Sequence, residues 1–212
     1  MRGLKDISLF QQTLKKIPIE WEGKQCVHEL KKFNYHWEQA EWQNFYFRYK
    51  FMQSVYCEQT QIPGDKYGKD VFDVKGEINW ELNVATLKTD FCTVTLSNTA
   101  TIHKAIAEHG YHGEVIALCN FAYDDNNRSF QSWHENLKGE SFALDEIPTH
   151  CKYRKVRASV HTVVFLILKE EDLAKLPTVQ GEVESDGKRG AVRYRLNFEN
   201  TEQFYCKVIN LL

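Results

Sequence analysis

The segment at residues 72–84 constrains the fold most, because its apolar residues fall on even-numbered positions only. The apolar side chains are all even-numbered, with polar residues or glycine between them: Phe72, Val74, Ile78, Trp80, Leu82 and Val84. A two-residue period is typical of β-strands with one buried face. Gly76 interrupts the period and indicates a bulge or a turn. The segment therefore predicts β structure whose odd-numbered, polar side chains leave the opposite face.

The rest of the chain alternates predicted helices with predicted strands. Residues 25–56 lack Gly and Pro and place apolar residues at roughly helical spacing, which predicts one long helix or two shorter ones. Ser97 and Asn98 can cap a helix that runs through His109 and ends at Gly110. Residues 114–123 are mostly apolar, as in a strand buried on both faces. Further strands are predicted at 91–96, 160–168 and 191–198, a short helix at 129–138 and a helical turn at 170–176.

This order of elements predicts an α/β fold with more β structure towards the C-terminus. The length of 212 residues fits a single domain over residues 1–212, with a core at about 25–125 and a basic C-terminal part at about 126–212. The formal net charge of −2 excludes bulk positive charge as the basis of nucleic-acid binding, so a polyanion site must be a local patch. The 6 cysteines show no metal-ligand spacing, and no export signal or membrane span is evident. We therefore expect a cytoplasmic protein with reduced thiols.

Two carboxylates are predicted to meet on one hairpin. If Gly68-Lys69-Asp70 forms a three-residue turn, Asp65 lies opposite Asp73, with Cβ atoms roughly 4.5–5.5 Å apart. Lys75 leaves the same face as Asp73. The carboxylates repel each other unless a cation lies between them, and Mg²⁺ suits one or two protein carboxylates with open positions for water and phosphate. Charged residues on a hairpin are otherwise most often its solvated face.

Pro63-Gly64-Asp65 followed by Phe72-Asp73-Val74-Lys75 resembles the PD-(D/E)XK nuclease signature. The order helix, strands, helix, strand is also similar to the core of that superfamily. Residues 111–118, 130–139 and 152–155 resemble strings in some type II restriction endonucleases. The resemblance covers about residues 25–200. It implies a restriction-endonuclease-like mixed sheet flanked by helices, with added C-terminal β structure, and a Mg²⁺-dependent homodimer that cleaves double-stranded DNA.

The resemblance also assigns roles to residues of this chain. Asp65 and Asp73 would be metal ligands, and the carbonyl of Val74 would complete the protein's share of the coordination shell. Lys75 would orient or deprotonate the attacking water. Gly64 separates the proline from its aspartate and the gap to Asp73 is short, so Asp70 is an alternative to Asp65.

A second register of the motif joins Asp73 with Glu81-Leu82-Asn83. It requires a lysine at position 83, and an amide can neither act as a base nor carry positive charge. The first register is therefore preferred, because Lys75 is already in place. The early helix of the superfamily often adds an acidic residue near the metal, and three glutamates are candidates: Glu29, Glu38 and Glu41.

Two clusters of cations are candidates for DNA contacts. The first lies at residues 152–157 and contains Lys152, Arg154, Lys155 and Arg157. In the second, Arg193 and Arg195 alternate with apolar residues and so leave one face of a strand, with Lys188 and Arg189 in the preceding turn. Phosphate contacts favour such clusters, and arginine also reads guanine through two parallel hydrogen bonds. A solvated charged face is the alternative interpretation.

Histidines and aromatic residues give weaker indications. His103, His109 and His112 fall near one helix end, but ordinary hydrogen-bonded histidines are the more common case and no zinc site is predicted. His134 is a candidate only through its motif neighbours. Residues 33–56 hold ten large aromatic side chains. These predict core packing first and, through their surplus, a subunit interface.

The leading hypothesis is a homodimeric type II restriction endonuclease, because two-fold dimers suit palindromic DNA sites. Water would attack a phosphodiester in line, with the metal activating it and stabilising charge on the phosphate. A non-catalytic DNA-binding protein with an idle nuclease site is the second hypothesis. A protein-interaction domain that uses the aromatic helix is the third, but it leaves the carboxylates and Lys75 without a purpose.

Overall fold

The computed structural model describes residues 2–56, 73–87, 93–141, 143, 153–181 and 190–211. The helices are α1 (Leu4–Leu14), α2 (Gly23–Lys32), α3 (Trp42–Tyr56), α4 (Thr99–His109), α5 (Ser129–Lys138) and α6 (Glu170–Leu173), with a 3-10 helix at Phe198–Gln203. The strands are β1 (Glu20–Glu22), β2 (Val74–Lys75), β3 (Asn79–Thr86), β4 (Thr93–Asn98), β5 (His112–Tyr123), β6 (Lys155–Leu168), β7 (Thr178–Val179), β8 (Arg193–Asn197) and β9 (Tyr205–Asn210).

In the described parts of the chain, six strands form a mixed sheet in the order β1-β6-β5-β3-β2, and β9 pairs with β6. β3 and β5 are parallel, and the chain passes from one to the other through β4 and α4. The other pairs of this sheet are antiparallel. A second, three-stranded sheet has the order β4-β8-β7. The fold is therefore mixed α/β, with a mixed sheet flanked by helices.

The large sheet is buried on both faces, each by its own apolar cluster. On one face Trp80 and Phe165 pack with Phe10 of α1 and with apolar residues of α2 and α3. On the other face Ile116 and Leu166 share a cluster with residues of α4, β4 and β8. β5 lies in the middle of the sheet, and its first eight residues are buried. The near-continuous apolar run of β5 follows from this position, as predicted.

The helical pattern of residues 25–56 folds as two helices separated by a nonhelical segment. α2 ends at Lys32 and α3 begins at Trp42. Asn34 and His36 between them have φ angles of 53° and 42°, in the left-handed region that an α-helix does not use. Half of the ten aromatic side chains in this region are buried in the core, and Phe33 is the most exposed at 51%. Half of the aromatic side chains thus serve core packing, as predicted, and the subunit interface stays a prediction.

α1 was not predicted from the sequence, yet it fixes the turn between β2 and β3. The carboxylate of Asp6 accepts hydrogen bonds from the backbone N–H groups of Glu77 (3.0 Å) and Ile78 (3.3 Å). It also accepts one from the indole N–H of Trp80 at 2.9 Å. Gly76 is required beside it, because a Cβ atom there would lie 2.4 Å from the carboxyl carbon of Asp6. The turn that precedes β3 is therefore held by a single buried carboxylate.

Asp6→Ala is expected to destabilise the protein by about 2–4 kcal/mol, because three donors lose their acceptor and two of these hydrogen bonds are buried. Urea unfolding of the purified variant measures this change. Ser8→Ala is the matched control on the same helix, since the Ser8 hydroxyl donates to a backbone carbonyl at an exposed position. Equal stability of the two variants would show that the Asp6 contacts contribute nothing.

Candidate metal centre

The centre is built on the paired strands β3 and β5. Glu81 of β3 is the registered neighbour of Glu114 of β5. His112 lies two residues before Glu114, so its side chain leaves the same face of the sheet. Ligand atoms of Glu81, His112 and Glu114 all lie within 4.8 Å of one another. The sheet register therefore brings two carboxylates and an imidazole together.

Glu114 is fully buried and has donors for both of its carboxylate oxygens. Oε1 accepts a hydrogen bond from the backbone N–H of Ser97 at 3.0 Å, and Oε2 accepts one from Nδ2 of Asn83 at 2.8 Å. Nε2 of His112 lies 3.3 Å from Oε1. A buried carboxylate needs such partners. Asn83 and Ser97 therefore hold Glu114 in a fixed orientation towards Glu81.

Asp73 lies at the edge of β3, where the pairing with β2 ends. Its N–H donates to the carbonyl of Trp80 at 2.9 Å, and its Oδ2 accepts from the N–H of Leu82 at 2.8 Å. Arg48 of α3 places Nε 3.3 Å from the same oxygen and 3.0 Å from the carbonyl oxygen of Leu82. Burial raises the pKa of Asp73, and the charge of Glu114 adds to this rise, while Arg48 and the Leu82 N–H oppose it. The pKa of Asp73 thus depends on the charge of Glu114 on β5.

Glu81 differs from Glu114 and Asp73 because no hydrogen-bond donor contacts its carboxylate within the described residues. Within the described residues its carboxylate has no hydrogen-bond or ion-pair partner, although the residue is only partly exposed. Burial raises the pKa of Glu81 to about 8, and the charges of Glu114 and Asp73 contribute to the rise. Arg48 and Arg193 act in the opposite direction. A cation beside Glu81 would relieve this unfavourable burial of negative charge.

The donor set fits a divalent cation. Glu81 and Glu114 supply carboxylate oxygens, and His112 supplies a ring nitrogen, within 4.8 Å of one another. His112 is only 1% exposed, and its Nδ1 has no hydrogen-bond partner in the described part of the chain. The site therefore contains two groups without hydrogen-bond partners among the described residues: the Glu81 carboxylate and Nδ1 of His112.

The structure brings together the second register of the predicted motif: Asp73, Glu81 and Asn83. Of the first register, Asp65 and its alternative Asp70 lie outside the described residues. Val74 is buried in the core, and Lys75 is exposed at the end of β2, where its N–H donates to the Tyr56 hydroxyl at 3.1 Å.

Sequence reasoning missed Glu114 and His112 as members of the site. The available signal was a glutamate at the start of a strand predicted to be buried on both faces. A charged side chain in that position must have polar or charged partners. The groups around Glu114 are therefore the ones to search for a functional site.

Of the three candidate glutamates only Glu29 lies on a helix, and each has other surroundings in the described structure. Glu29 pairs with Lys50 at 2.6 Å and accepts from Tyr46, and Glu41 pairs with Lys155 at 2.7 Å. Glu38 is exposed. The helix residue that reaches the carboxylates is Arg48, a cation rather than an acid.

His134 is a buried core residue. Its Nε2 lies 2.8 Å from the carbonyl oxygen of Trp37, and its ring stacks on Trp133. Burial lowers the pKa of His134, so the ring is held neutral. These contacts describe a structural histidine.

The predicted cations at residues 152–157 lie far from the carboxylates. Lys155 pairs with Tyr123, nine residues along β5 from Glu114, which is about 30 Å of extended strand. Each described cation here has a carboxylate partner: Arg154 with Glu135 at 3.2 Å, Lys155 with Glu41 at 2.7 Å and Arg157 with Glu22 at 2.9 Å. Lys152 lies outside the described residues.

The second predicted cluster is close to the carboxylates. Arg193 and Arg195 are exposed on β8 and alternate with buried Tyr194 and Leu196, as predicted. Arg193 pairs in register with Asn98 of β4, and its charge lowers the pKa of Glu81. Neither arginine has an ion-pair partner among the residues that the structure describes. Lys188 and Arg189 lie outside those residues.

The fold and the site define a mixed α/β chain with a buried centre of carboxylates and histidine beside exposed arginines. The chain matches no family model, no curated protein and no solved structure. None of the described helices has the length and apolar character needed to span a membrane.

Proposed function

We propose that this chain is a cytoplasmic, Mg²⁺-dependent endonuclease for double-stranded DNA, of the type II restriction class. One observation carries the proposal: the Glu81 carboxylate lies without a donor near Asp73 and Glu114. Partly buried carboxylates so close together repel one another when no cation is bound, and a bound divalent cation would remove this repulsion. Exposed arginines beside it suit a phosphate-bearing substrate.

The topology supports the finer fold assignment that the motif resemblance implies. α3 is followed by β2, β3 and β4, then by α4 and β5, which is the order helix, strands, helix, strand. Asp73 directly precedes the short strand β2, which pairs with β3, and Glu81 and Asn83 lie on β3. We therefore propose a restriction-endonuclease-like arrangement in which the second register of the motif is used.

Each residue of the centre has a distinct task in this proposal. Asp73, Glu81 and Glu114 would hold the ion, which when bound supplies an activated water and stabilises charge on the phosphate. Asn83 keeps Glu114 oriented through its 2.8 Å hydrogen bond. Arg48 holds Asp73 and adds positive charge where Asn83 provides none.

The two exposed arginines of β8 would position the DNA. Arg193→Ala combined with Arg195→Ala is expected to weaken DNA retardation and to lower the salt dependence of binding, by a log–log slope of about 2 for two lost phosphate contacts. Titration of a labelled duplex at several salt concentrations measures both effects. Arg157→Ala is the control, since Arg157 is paired with Glu22 and lies at the far end of β6. An equal loss in the control would place the DNA elsewhere.

The test of the function is incubation of purified protein with mixed plasmid DNA, with and without Mg²⁺. Discrete fragments that require the ion support the endonuclease. Sedimentation of the same preparation tests the homodimer, which rests on the match between two-fold symmetry and palindromic sites. Plasmid that stays intact in all conditions contradicts the proposal.

A DNA-binding protein with an idle site is the second candidate. It is favoured by Asn83, which stands where the motif requires lysine, and by the exposure of Lys75. Retardation of plasmid DNA without any cleavage in Mg²⁺ would identify this case.

A further inference from the structure

We propose that His112 is a ligand of the ion, and that the centre therefore binds Mn²⁺ in preference to Mg²⁺. The inference rests on the proposed metal centre and adds the identity of its preferred ion. It depends on the position of the imidazole, on its two nitrogens and on the chemistry of its neighbours.

The imidazole is placed by the sheet and cannot reach solvent. His112 is the first residue of β5 and pairs with Leu168 of β6, and the next residue, Gly113, pairs with Trp80 of β3. The side chain is 1% exposed. Its ligand atom lies within 4.8 Å of those of Glu81 and Glu114. The ring is thus part of the carboxylate group and not of the protein surface.

The two ring nitrogens differ in their surroundings. Nε2 lies 3.3 Å from Oε1 of Glu114, whereas Nδ1 is buried without a hydrogen-bond partner. A buried polar atom without a partner costs about 1–3 kcal/mol. A ligating histidine uses one nitrogen for the ion and gives the N–H of the other to a carboxylate or carbonyl. Glu114 provides that acceptor for the N–H of Nε2, and Nδ1 remains for the ion.

Nitrogen ligation decides between metals. Mg²⁺ is bound through oxygen ligands and keeps several waters. Mn²⁺ shares this preference for carboxylates and water, and as a first-row transition-metal ion it also accepts an imidazole nitrogen, although less strongly than Fe²⁺, Ni²⁺, Cu²⁺ or Zn²⁺. A mixed set of carboxylates and one imidazole therefore favours Mn²⁺ over Mg²⁺ while still accepting Mg²⁺ through the carboxylates alone. His112 would then set the metal preference without contributing to binding of Mg²⁺.

Titration calorimetry with MnCl₂ and with MgCl₂ tests this on the wild-type chain, on His112→Gln and on His103→Gln. The wild type is expected to bind Mn²⁺ at least about tenfold more tightly than Mg²⁺. His112→Gln should lose about 10- to 100-fold in Mn²⁺ affinity, with Mg²⁺ affinity nearly unchanged. His103 is the matched control, because its Nε2 is paired with the Tyr194 hydroxyl at 2.9 Å. Equal losses for both ions in His112→Gln would overturn the inference.

A second measurement on the wild type does not depend on the folding of any variant. Pulsed electron paramagnetic resonance of bound Mn²⁺ should show modulation from one directly coordinated ¹⁴N nucleus. Absence of that modulation, or absence of Mn²⁺ binding, overturns the inference. Neither readout uses DNA. Nitrogen-coordinated Mn²⁺ in a chain that cuts no DNA would keep the inference and reject the endonuclease, and Mg²⁺-dependent cutting without nitrogen coordination would do the reverse.

Discussion

Glu81→Gln is expected to slow Mg²⁺-dependent DNA cleavage by about 100- to 1,000-fold, because the change removes the charge that the ion would neutralise. The amide keeps the shape of the side chain, so the sheet register with Glu114 is retained. Lys75→Ala should leave cutting nearly unchanged, because Lys75 is exposed at the end of β2. A plasmid-cleavage time course on both variants measures the two rates side by side.

The same assay separates the two registers of the motif. Asn83→Lys should speed cutting, because lysine adds the positive charge that the second register lacks and its ammonium can still donate to Glu114. Glu38→Gln is the matched control for removal of a glutamate charge at an exposed position. Slow cutting in Lys75→Ala with normal cutting in Glu81→Gln would instead assign the first register, with Asp65 and Asp73 as ligands.

Much of the fold follows from local sequence signals. Asn98 caps α4 by accepting from the N–H of Thr101 at 2.8 Å, and Gly110 ends that helix with a φ angle of 80°. The bounds of α5 agree with the predicted residues 129–138. α1 was missed although its buried Ile7, Phe10 and Leu14 follow helical spacing, whereas the donors to Asp6 lie more than 70 residues away. Such long-range contacts leave no periodic signal in a short window of sequence.

The site was only partly predictable for a related reason. Asp73, Glu81 and Asn83 lie within 11 positions of one another and could be identified as a motif. Glu114 and His112 join them through parallel pairing of β3 with β5, and the sequence does not specify which strands become neighbours. Conversely, Glu29 and Glu41 were candidate ligands from the predicted early helix, but each pairs with a lysine instead. Whether a residue joins the site thus depends on strand order as much as on residue type.

Removing the Glu81 charge should also stabilise the metal-free protein, by an amount that grows with pH. The folded chain raises the pKa of Glu81 to about 8 from an ordinary value of 4.5, chiefly by burial. Between these pH values the folded state holds a proton that the unfolded state has released, so stability falls as the pH rises through this range. In EDTA, Glu81→Gln should therefore match the wild type near pH 4.5 and exceed it by roughly 2–4 kcal/mol at pH 8.

Urea unfolding at several pH values measures the difference, and Glu38→Gln again serves as the exposed control. A pH-independent difference between Glu81→Gln and the wild type would show that Glu81 is not held in an unfavourable charged state. Addition of a divalent ion should stabilise the wild type more than the variant, because the variant has lost one of the carboxylates that would hold the ion. A residue that costs stability when ionised and recovers it on binding a cation has the energetics of a ligand, since functional sites retain groups that the fold alone disfavours.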